Sequence, residues 1–200
     1  MARELVVNTF LSLDGVMQAP GGPDEDEENG FTSGGWSVNY WDEAMGGWAA
    51  DLMGRPFDLL LGRKTYDIFA AYWPDAPAEE SEGLNRAHKY VVSRGTPDLP
   101  WAESTLLSGD PAAAVARLKV EDGPELQVHG SANLLQSLNG AGVVDRWQVW
   151  IFPVVLGAGK RLFEPGAAPL GLTLRDSVVS STGVIKAVYE PAGAITFGSF

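Results

Sequence analysis

The chain has 200 residues, no cysteine and a formal net charge of −12, from 26 acidic and 14 basic residues. This length suits a single domain, 1–200, and 45% hydrophobic with 20% charged residues is typical of a folded protein. Net acidity argues against a nucleic-acid partner, because a phosphate backbone needs a contiguous positive surface. The lack of cysteine excludes disulfides, thiolate metal ligands and a cysteine nucleophile.

No segment has the composition of a signal peptide or a membrane span. The apolar run within "MARELVVNTF" is too short for a signal peptide, and "VWIFPVVLGAG" is interrupted by Pro153 and falls short of about 20 residues. We therefore expect a soluble, cytoplasmic protein with no membrane partner.

The first predicted strand, "ELVVNTFLSLDG", closes in an Asp14-Gly15 turn. An acidic loop follows, and within its run Asp24 to Glu28 the residues Asp24, Asp26 and Glu28 have the alternating spacing of a calcium loop. However, the sixth position is Asn29 instead of Gly, and the twelfth is Gly35 instead of Glu. We expect a solvated, mobile loop here and no metal site.

The apolar spacing from Trp41 onward predicts a helix that ends at Arg55-Pro56. "FDLLLG" is short and continuously apolar, which indicates a central strand covered on both faces. Strands and helices then alternate through the helix "KTYDIFAAYW", the strands "HKYVVSR" and "STLLSGD", the helix "PAAAVARLKV", the strand "ELQVHG" and the helix "SANLLQSLNGAG". Successive strands follow in "RWQVWIFPVVL", "LTLRDSVVSSTGVIKAVYEP" and "AITFGSF". This order predicts an α/β fold, a mostly parallel sheet flanked by helices with an antiparallel C-terminal edge.

Three of these strands end in polar clusters: Gly62-Arg63-Lys64-Thr65, Ser93-Arg94 and Gly130-Ser131-Ala132-Asn133. Taken singly, each cluster is more typical of an ordinary turn. Together they favour a site, because the carboxyl ends of parallel strands share one edge, where ligands bind. Two clusters open a helix, whose free N–H groups attract anions, and the arginines can bind a terminal phosphate. The layout suits a phosphorylated dinucleotide.

Other nucleotide and catalytic motifs fail on inspection. "GAGKRLF" lacks the early glycine of a phosphate loop, since Val154 occupies that position, and Arg161 follows Lys160 in place of Ser or Thr. Neither G-x-G-x-x-G after the first strand nor G-x-S-x-G occurs. Two isolated histidines make neither a metal cage nor a convincing triad.

The segments "FLSLDGVMQAPGG", "LLLGRKTYDIF", "KYVVSR" and "LQVHGSANLLQSL…GVVDRWQVWIFPVVLGAGKRLF" resemble the dihydrofolate reductase superfamily in the family's order. They are more similar to the bacterial branch related to the C-terminal reductase domain of the riboflavin-biosynthesis deaminase/reductase. The resemblance implies a sheet of about eight strands that binds NADPH across its strand ends.

Carried over by position, the resemblance gives each cluster a role toward NADPH. Gly62, Arg63 and Thr65 would hold the adenosine-side phosphates, and Ser93 and Arg94 would contact the ribose 2′-phosphate. The pyrophosphate would lie against the residues of the third cluster, Gly130, Ser131, Ala132 and Asn133.

On the substrate side, the resemblance places the nicotinamide along the first strand, with Asp14 at the mouth as a candidate catalytic residue or simply a turn residue. Trp36 and Trp41, beside hinge-capable glycines, are candidates to stack on a flat heterocycle. Dihydrofolate reductases have a pterin-binding carboxylate on the first helix, and the equivalent zone here is "AMGG". That departure argues against dihydrofolate as the substrate.

Two functions remain open from the sequence. The first is an NADPH-dependent reductase that transfers a hydride to a small pterin-like or ribosylaminopyrimidine-like heterocycle. The second is a catalytically silent NADP-binding sensor or interaction protein. The resemblance also implies a homodimer, for which "RWQVWIF" offers a strand edge and surface.

Overall fold

The computed structural model describes residues 2–199 and contains one sheet flanked by helices. The strands are β1 Leu5–Ser12, β2 Phe57–Gly62, β3 Lys89–Val92, β4 Ser104–Leu107, β5 Glu125–His129, β6 Arg146–Phe152, β7 Gly171–Val179 and β8 Ile185–Gly193. The α-helices are α1 Glu43–Met53, α2 Arg63–Tyr72, α3 Ala78–Arg86, α4 Pro111–Val120 and α5 Ala132–Gly140. Short 3-10 turns occupy residues 28–30, 38–40 and 73–75.

The eight strands are ordered β4-β3-β2-β5-β1-β6-β8-β7. All neighbours from β4 to β6 are parallel, whereas β8 pairs antiparallel with both β6 and β7. The predicted fold, a mostly parallel sheet with an antiparallel C-terminal edge, is confirmed. This order brings the carboxyl ends of β1, β2, β3 and β5 to one side of the sheet.

Strand β2 has both faces covered, as its continuous apolar sequence predicted. Leu60 packs into the core beneath α4 and α5, while Leu59 and Leu61 pack on the opposite face with residues of α2 and α3. All three leucines are fully buried. A strand buried on both faces fixes the position of Gly62 at its end.

Helices α1 and α4 begin at side-chain caps. The Asp42 carboxylate accepts the Met45 N–H at 2.9 Å, and the Asp110 carboxylate accepts the Ala113 N–H at 2.7 Å. Each cap satisfies a backbone donor that the first helical turn leaves unpaired, a contribution of about 1 kcal/mol. The cap predicted from Asp110-Pro111 is confirmed.

The structure differs from the sequence-based expectations in three places. It contains helix α3, short and mostly polar, which was not predicted. "AITFGSF" is not a strand over residues 194–199. β6, expected to offer a dimer edge, lies between β1 and β8, so its backbone pairing is already complete. The sheet edges are β4 and β7, and self-association stays a prediction.

Within residues 2–199, none of the helices combines the length and the apolar composition that crossing a bilayer requires.

Candidate functional site

A cavity of about 1550 Å³ opens at the carboxyl ends of the parallel strands. Its lining includes every residue predicted from the three strand-end clusters: Gly62, Arg63, Thr65, Ser93, Arg94, Gly130, Ser131, Ala132 and Asn133. The sheet order explains this convergence, because β3, β2 and β5 are consecutive neighbours. We call these residues, with Lys64, the polar wall.

The first and third clusters interlock through Ser131. The Gly62 N–H donates to the Ser131 hydroxyl at 3.0 Å, and the Ser131 N–H donates to the Thr65 hydroxyl at 2.9 Å. The Ser131 hydroxyl in turn donates to the His129 carbonyl at 3.0 Å. Ser131 is therefore a brace between the strand ends, while the Thr65 hydroxyl keeps its own proton to donate.

The backbone at this brace is held in a sparsely populated conformation. Gly130 has φ of +54° and Ser131 has φ of +59°, so two successive residues are left-handed. A Cβ on Gly130 would lie 3.3 Å from Thr65 Cγ2, so a larger residue would press on the brace. Such strain is retained where the surrounding contacts enforce it, often at binding sites.

The two helices that begin at the polar wall have no side-chain caps. Gly62, which precedes α2, has no side chain to cap it, and the Ser131 hydroxyl does not bond to the first turn of α5. Their leading N–H groups and positive dipole ends face the strand-end edge, an arrangement that attracts anions. Both the backbone N–H groups and the side chains of the polar wall therefore suit the phosphates of a dinucleotide.

The two predicted phosphate-binding arginines differ in their partners. Arg63 Nε donates to both oxygens of Asp67, one helical turn on, at 2.6 and 2.7 Å. Arg94 forms no ion pair with any residue in the described part of the chain. Arg94 is thus the arginine of the polar wall that can meet an anion without breaking an existing contact.

The acidic loop, expected to be mobile, is tied to the rest of the molecule by two lysines. Lys64 Nζ lies 2.6 Å from Asp26 and 2.9 Å from Glu28, and Lys160 Nζ lies 2.7 and 2.5 Å from the same carboxylates. Burial raises the pKa of Asp26, but hydrogen bonds from the two lysines outweigh it and lower the pKa overall. The loop therefore forms part of the cavity rim, and Lys64, although half exposed, is paired with two of its carboxylates.

A buried glutamine fixes the same loop from below. Gln18, only 4% exposed, donates through Nε2 to the carbonyls of Asp26 and Glu28, both at 3.0 Å. Its Oε1 accepts the Lys160 N–H, also at 3.0 Å. No sequence motif marks Gln18, because its partners are spread from the loop to Lys160.

Asp14, predicted as a catalytic candidate, does not line the cavity. Its carboxylate accepts hydrogen bonds from the Ser12 hydroxyl at 2.7 Å and from the N–H groups of Leu156 and Gly157 at 3.1 and 2.9 Å. These bonds, led by that of Ser12, lower the pKa of Asp14. A carboxyl group held ionised is a poor proton donor, so of the two roles that the sequence left open for Asp14 these bonds favour the turn role.

Glu25 is a cavity-lining carboxyl group with the opposite shift. It accepts the N–H groups of Gly21 and Gly22 at 2.6 and 3.1 Å, yet burial raises its pKa above the ordinary value. The sequence placed Glu25 in a solvated loop and did not single it out.

The two tryptophans predicted on the substrate side have different positions. Trp41 lines the cavity, is 47% exposed and stacks on Trp150 with ring centroids 5.9 Å apart. Trp36 does not line the cavity. Its Nε1–H donates to the Gln18 carbonyl at 2.8 Å and its ring packs edge-on against Phe152. Trp36 is therefore a packing residue, which corrects its predicted stacking role.

Trp41 belongs to an aromatic wall, which we define as Phe10, Trp41 and Trp150 with the adjoining small residues of α1. Phe10 contacts both tryptophan rings, at centroid distances of 6.2 and 5.0 Å. Gly46, Ala49 and Ala50 line the cavity from α1, whereas Asp51 does not. This helix offers the cavity space and apolar surface instead of a carboxylate.

Two further residues, missed from the sequence, lie where β1 and β5 meet the cavity. Asn8 and His129 are register partners on these adjacent strands, and both line the cavity. Burial lowers the pKa of His129 to about 4, so its ring is neutral at physiological pH. The ring nitrogen Nε2 is bonded to Gln127 Oε1 at 2.9 Å.

Solved structures with the same fold include reductases. A Shewanella sp. PV-4 protein provisionally assigned to riboflavin biosynthesis matches with a TM-score of 0.68 and 22% identity, over 96% of this chain and 99% of that one. A pyrimidine reductase-like protein of Corynebacterium diphtheriae matches at 0.61 and 16%, over 94% and 92%. Dihydrofolate reductase of Enterococcus faecalis, complexed with NADP(H), matches at 0.56 and 12%, over 96% and 99%.

Sequence comparison gives relatives of nearly equal length. The uncharacterised protein YyaP of Bacillus subtilis (strain 168) is 26% identical over 197 residues, which cover 94% of this chain and 95% of YyaP. The family model of the RibD C-terminal domain matches residues 3–186. The chain therefore belongs to the RibD C-terminal domain family.

Proposed function

We propose that the protein is an NADPH-dependent reductase that transfers a hydride to a small heterocyclic substrate of pterin-like or aminopyrimidine-like type. Membership of a reductase family supports the oxidoreductase class. The observation that carries the cofactor assignment is the convergence of three strand-end clusters on one cavity.

The polar wall would hold the cofactor through its own residues. The uncapped starts of α2 and α5 would bind the pyrophosphate, and the Thr65 hydroxyl, already positioned by Ser131, would donate to a phosphate oxygen. Arg94 would bind the 2′-phosphate, with Ser93 beside it. Arg63 would contribute less to phosphate binding, because its guanidinium is already bonded to Asp67.

Bound there, NADPH would supply the hydride, and the chain would supply orientation, exclusion of water and a proton. The aromatic wall would hold a flat substrate ring through Trp41, whose face is accessible. The acidic loop, fixed by Lys64 and Lys160, would limit entry of water at the rim. Glu25, with its raised pKa, is a better-suited proton source than Asp14.

The test has two steps, binding and turnover. NADPH at about a hundred times its Kd should stabilise the protein by about 2.7 kcal/mol, seen as a higher midpoint of thermal unfolding. NADPH absorbance is then followed with a panel of pterins, aminopyrimidines and quinones, and at least one should cause enzyme-dependent oxidation. Stabilisation without oxidation across the panel would favour the silent NADP-binding alternative, and no stabilisation would contradict both.

A further inference from the structure

The side-chain amide of Asn8 is buried without a hydrogen-bond partner. Asn8 is 4% exposed, and within residues 2–199 neither its Nδ2 nor its Oδ1 finds a donor or acceptor. Buried polar groups in folded proteins are nearly always paired, and an unpaired one costs the full price of its desolvation. Both ends of the amide therefore lack a partner in the described part of the chain, at a residue that lines the cavity.

The surroundings of Asn8 assign it to the substrate side of the cavity. Side chains two residues apart on a strand share a face, so Asn8 lies beside Phe10 of the aromatic wall, and both line the cavity. Its register partner on β5 is His129, which lines the same cavity. On α1, the facing residues Gly46, Ala49 and Ala50 carry no charge.

The hydrogen-bonding direction of His129 is set by a chain of side chains along β5. The Glu125 carboxylate accepts from Gln127 Nε2 at 2.7 Å, which turns the Gln127 Oε1 toward His129. That oxygen can only accept, so His129 Nε2 carries the ring proton and donates it. Nδ1 is left as an acceptor, on the strand that neighbours Asn8.

We propose that Asn8 selects the substrate by binding an uncharged planar edge that presents an N–H beside a C=O. Asn8 Oδ1 accepts the N–H and Asn8 Nδ2 donates to the C=O, while His129 Nδ1 accepts a second N–H where the substrate has one. A site with paired donor and acceptor rejects compounds that leave either one unbonded. The assignment rests on the proposed reductase function and adds to it the residue that distinguishes substrates.

The experiment uses 2-pyridone, a small planar lactam with adjacent N–H and C=O, and N-methyl-2-pyridone, in which the N–H is blocked. Both are titrated into ¹⁵N-labelled protein with NADPH and without it, and the side-chain amide signals of Asn8 are followed by NMR. We expect about tenfold tighter binding of 2-pyridone and a shift of the Asn8 signals. In Asn8→Leu, which keeps the γ-branched shape but removes both polar atoms, the two compounds should bind equally.

Asn39→Leu is the matched control, because it makes the same change at an exposed residue outside the cavity. It should keep the tenfold preference. Equal binding of the two compounds to the wild-type protein, unmoved Asn8 signals, or a preference that survives in Asn8→Leu would each overturn the proposal. Because thermal protection by NADPH is measured separately, a failure of cofactor binding is distinguished from a failure of Asn8 to bind the lactam.

Discussion

The two walls of the cavity differ in chemical character, since one is polar and charged and the other is aromatic and uncharged. The polar wall consists of strand ends, uncapped helix starts and cations. The aromatic wall consists of stacked rings and small residues on α1, with the neutral pair Asn8 and His129 beside it. The first suits a highly charged ligand of fixed shape, and the second suits a flat, uncharged ring.

The walls also differ in how they are held. The polar wall is fixed by backbone conformation and by the brace at Ser131, which links neighbouring strand ends. The aromatic wall is fixed by side-chain packing across β1, β6 and the segment before α1. Substitutions on one wall should therefore leave the structure and binding of the other wall unchanged, and this expectation can be tested.

The largest expected effect is a loss of folding stability at acidic pH, caused by the lowered pKa of His129. Since burial lowers the His129 pKa from 6.5 to about 4, the unfolded chain binds a proton between these values and the folded protein does not. Stability should therefore fall as the pH drops from 6.5 to 4, with a contribution of the order of 2–3 kcal/mol.

His129→Gln keeps a donor for Gln127 Oε1 but has no titratable ring, so it should remove this part of the acid destabilisation. Urea unfolding at a series of pH values measures it, and His88→Gln serves as the matched control for loss of a histidine. Parallel pH profiles for wild type and His129→Gln would mean that His129 titrates freely and that this side of the cavity is not neutral.

The second prediction concerns Arg94, the arginine of the polar wall that has no ion-pair partner in the described part of the chain. Arg94→Ala should weaken NADPH about 30-fold, near 2 kcal/mol, because a charge-assisted bond to the 2′-phosphate is lost. NADH, which lacks that phosphate, should weaken less than threefold. Isothermal titration calorimetry with both cofactors measures the difference.

Arg63→Ala is the internal comparison for Arg94. Its guanidinium already holds Asp67, so its removal frees a carboxylate and should discriminate less between the two cofactors. Equal losses for NADPH and NADH in Arg94→Ala would show that Arg94 contacts a different part of the cofactor.

The polar wall was predictable because its motifs are local. Gly62-Arg63-Lys64-Thr65 and Gly130-Ser131-Ala132-Asn133 are continuous segments, each between a strand and a helix. Strand alternation alone brings such segments to one edge of a parallel sheet. Most of the strands were recognisable from their apolar runs, although their number came from the family resemblance and "AITFGSF" was wrongly predicted as a strand. The polar helix α3 gave too weak an apolar stripe to be recognised.

The aromatic wall and the rim were less predictable because they depend on distant partners. Asp14 bonds to Leu156, 142 residues along the chain, and this contact decides that Asp14 holds a turn. The partnership of Lys64 with Asp26 depends on how the loop folds back. Asn8 reads as an ordinary strand residue until its register with His129 and its unpaired amide are known.

The smallest effect tests whether backbone geometry, as well as charge, builds the polar wall. Gly130→Ala places a Cβ at φ of +54° and 3.3 Å from Thr65 Cγ2. The left-handed conformation alone costs a non-glycine residue about 1–2 kcal/mol, so the free energy of unfolding should fall by about that amount.

Gly140→Ala is the matched control, since no atom lies within 4 Å of its added Cβ and its φ is not in the left-handed region. If the two substitutions have equal effects on urea unfolding, the strained brace is not a structural requirement. If Gly130→Ala instead lowers stability while the indole N–H signal of Trp41 keeps its wild-type NMR position, the two walls are held independently.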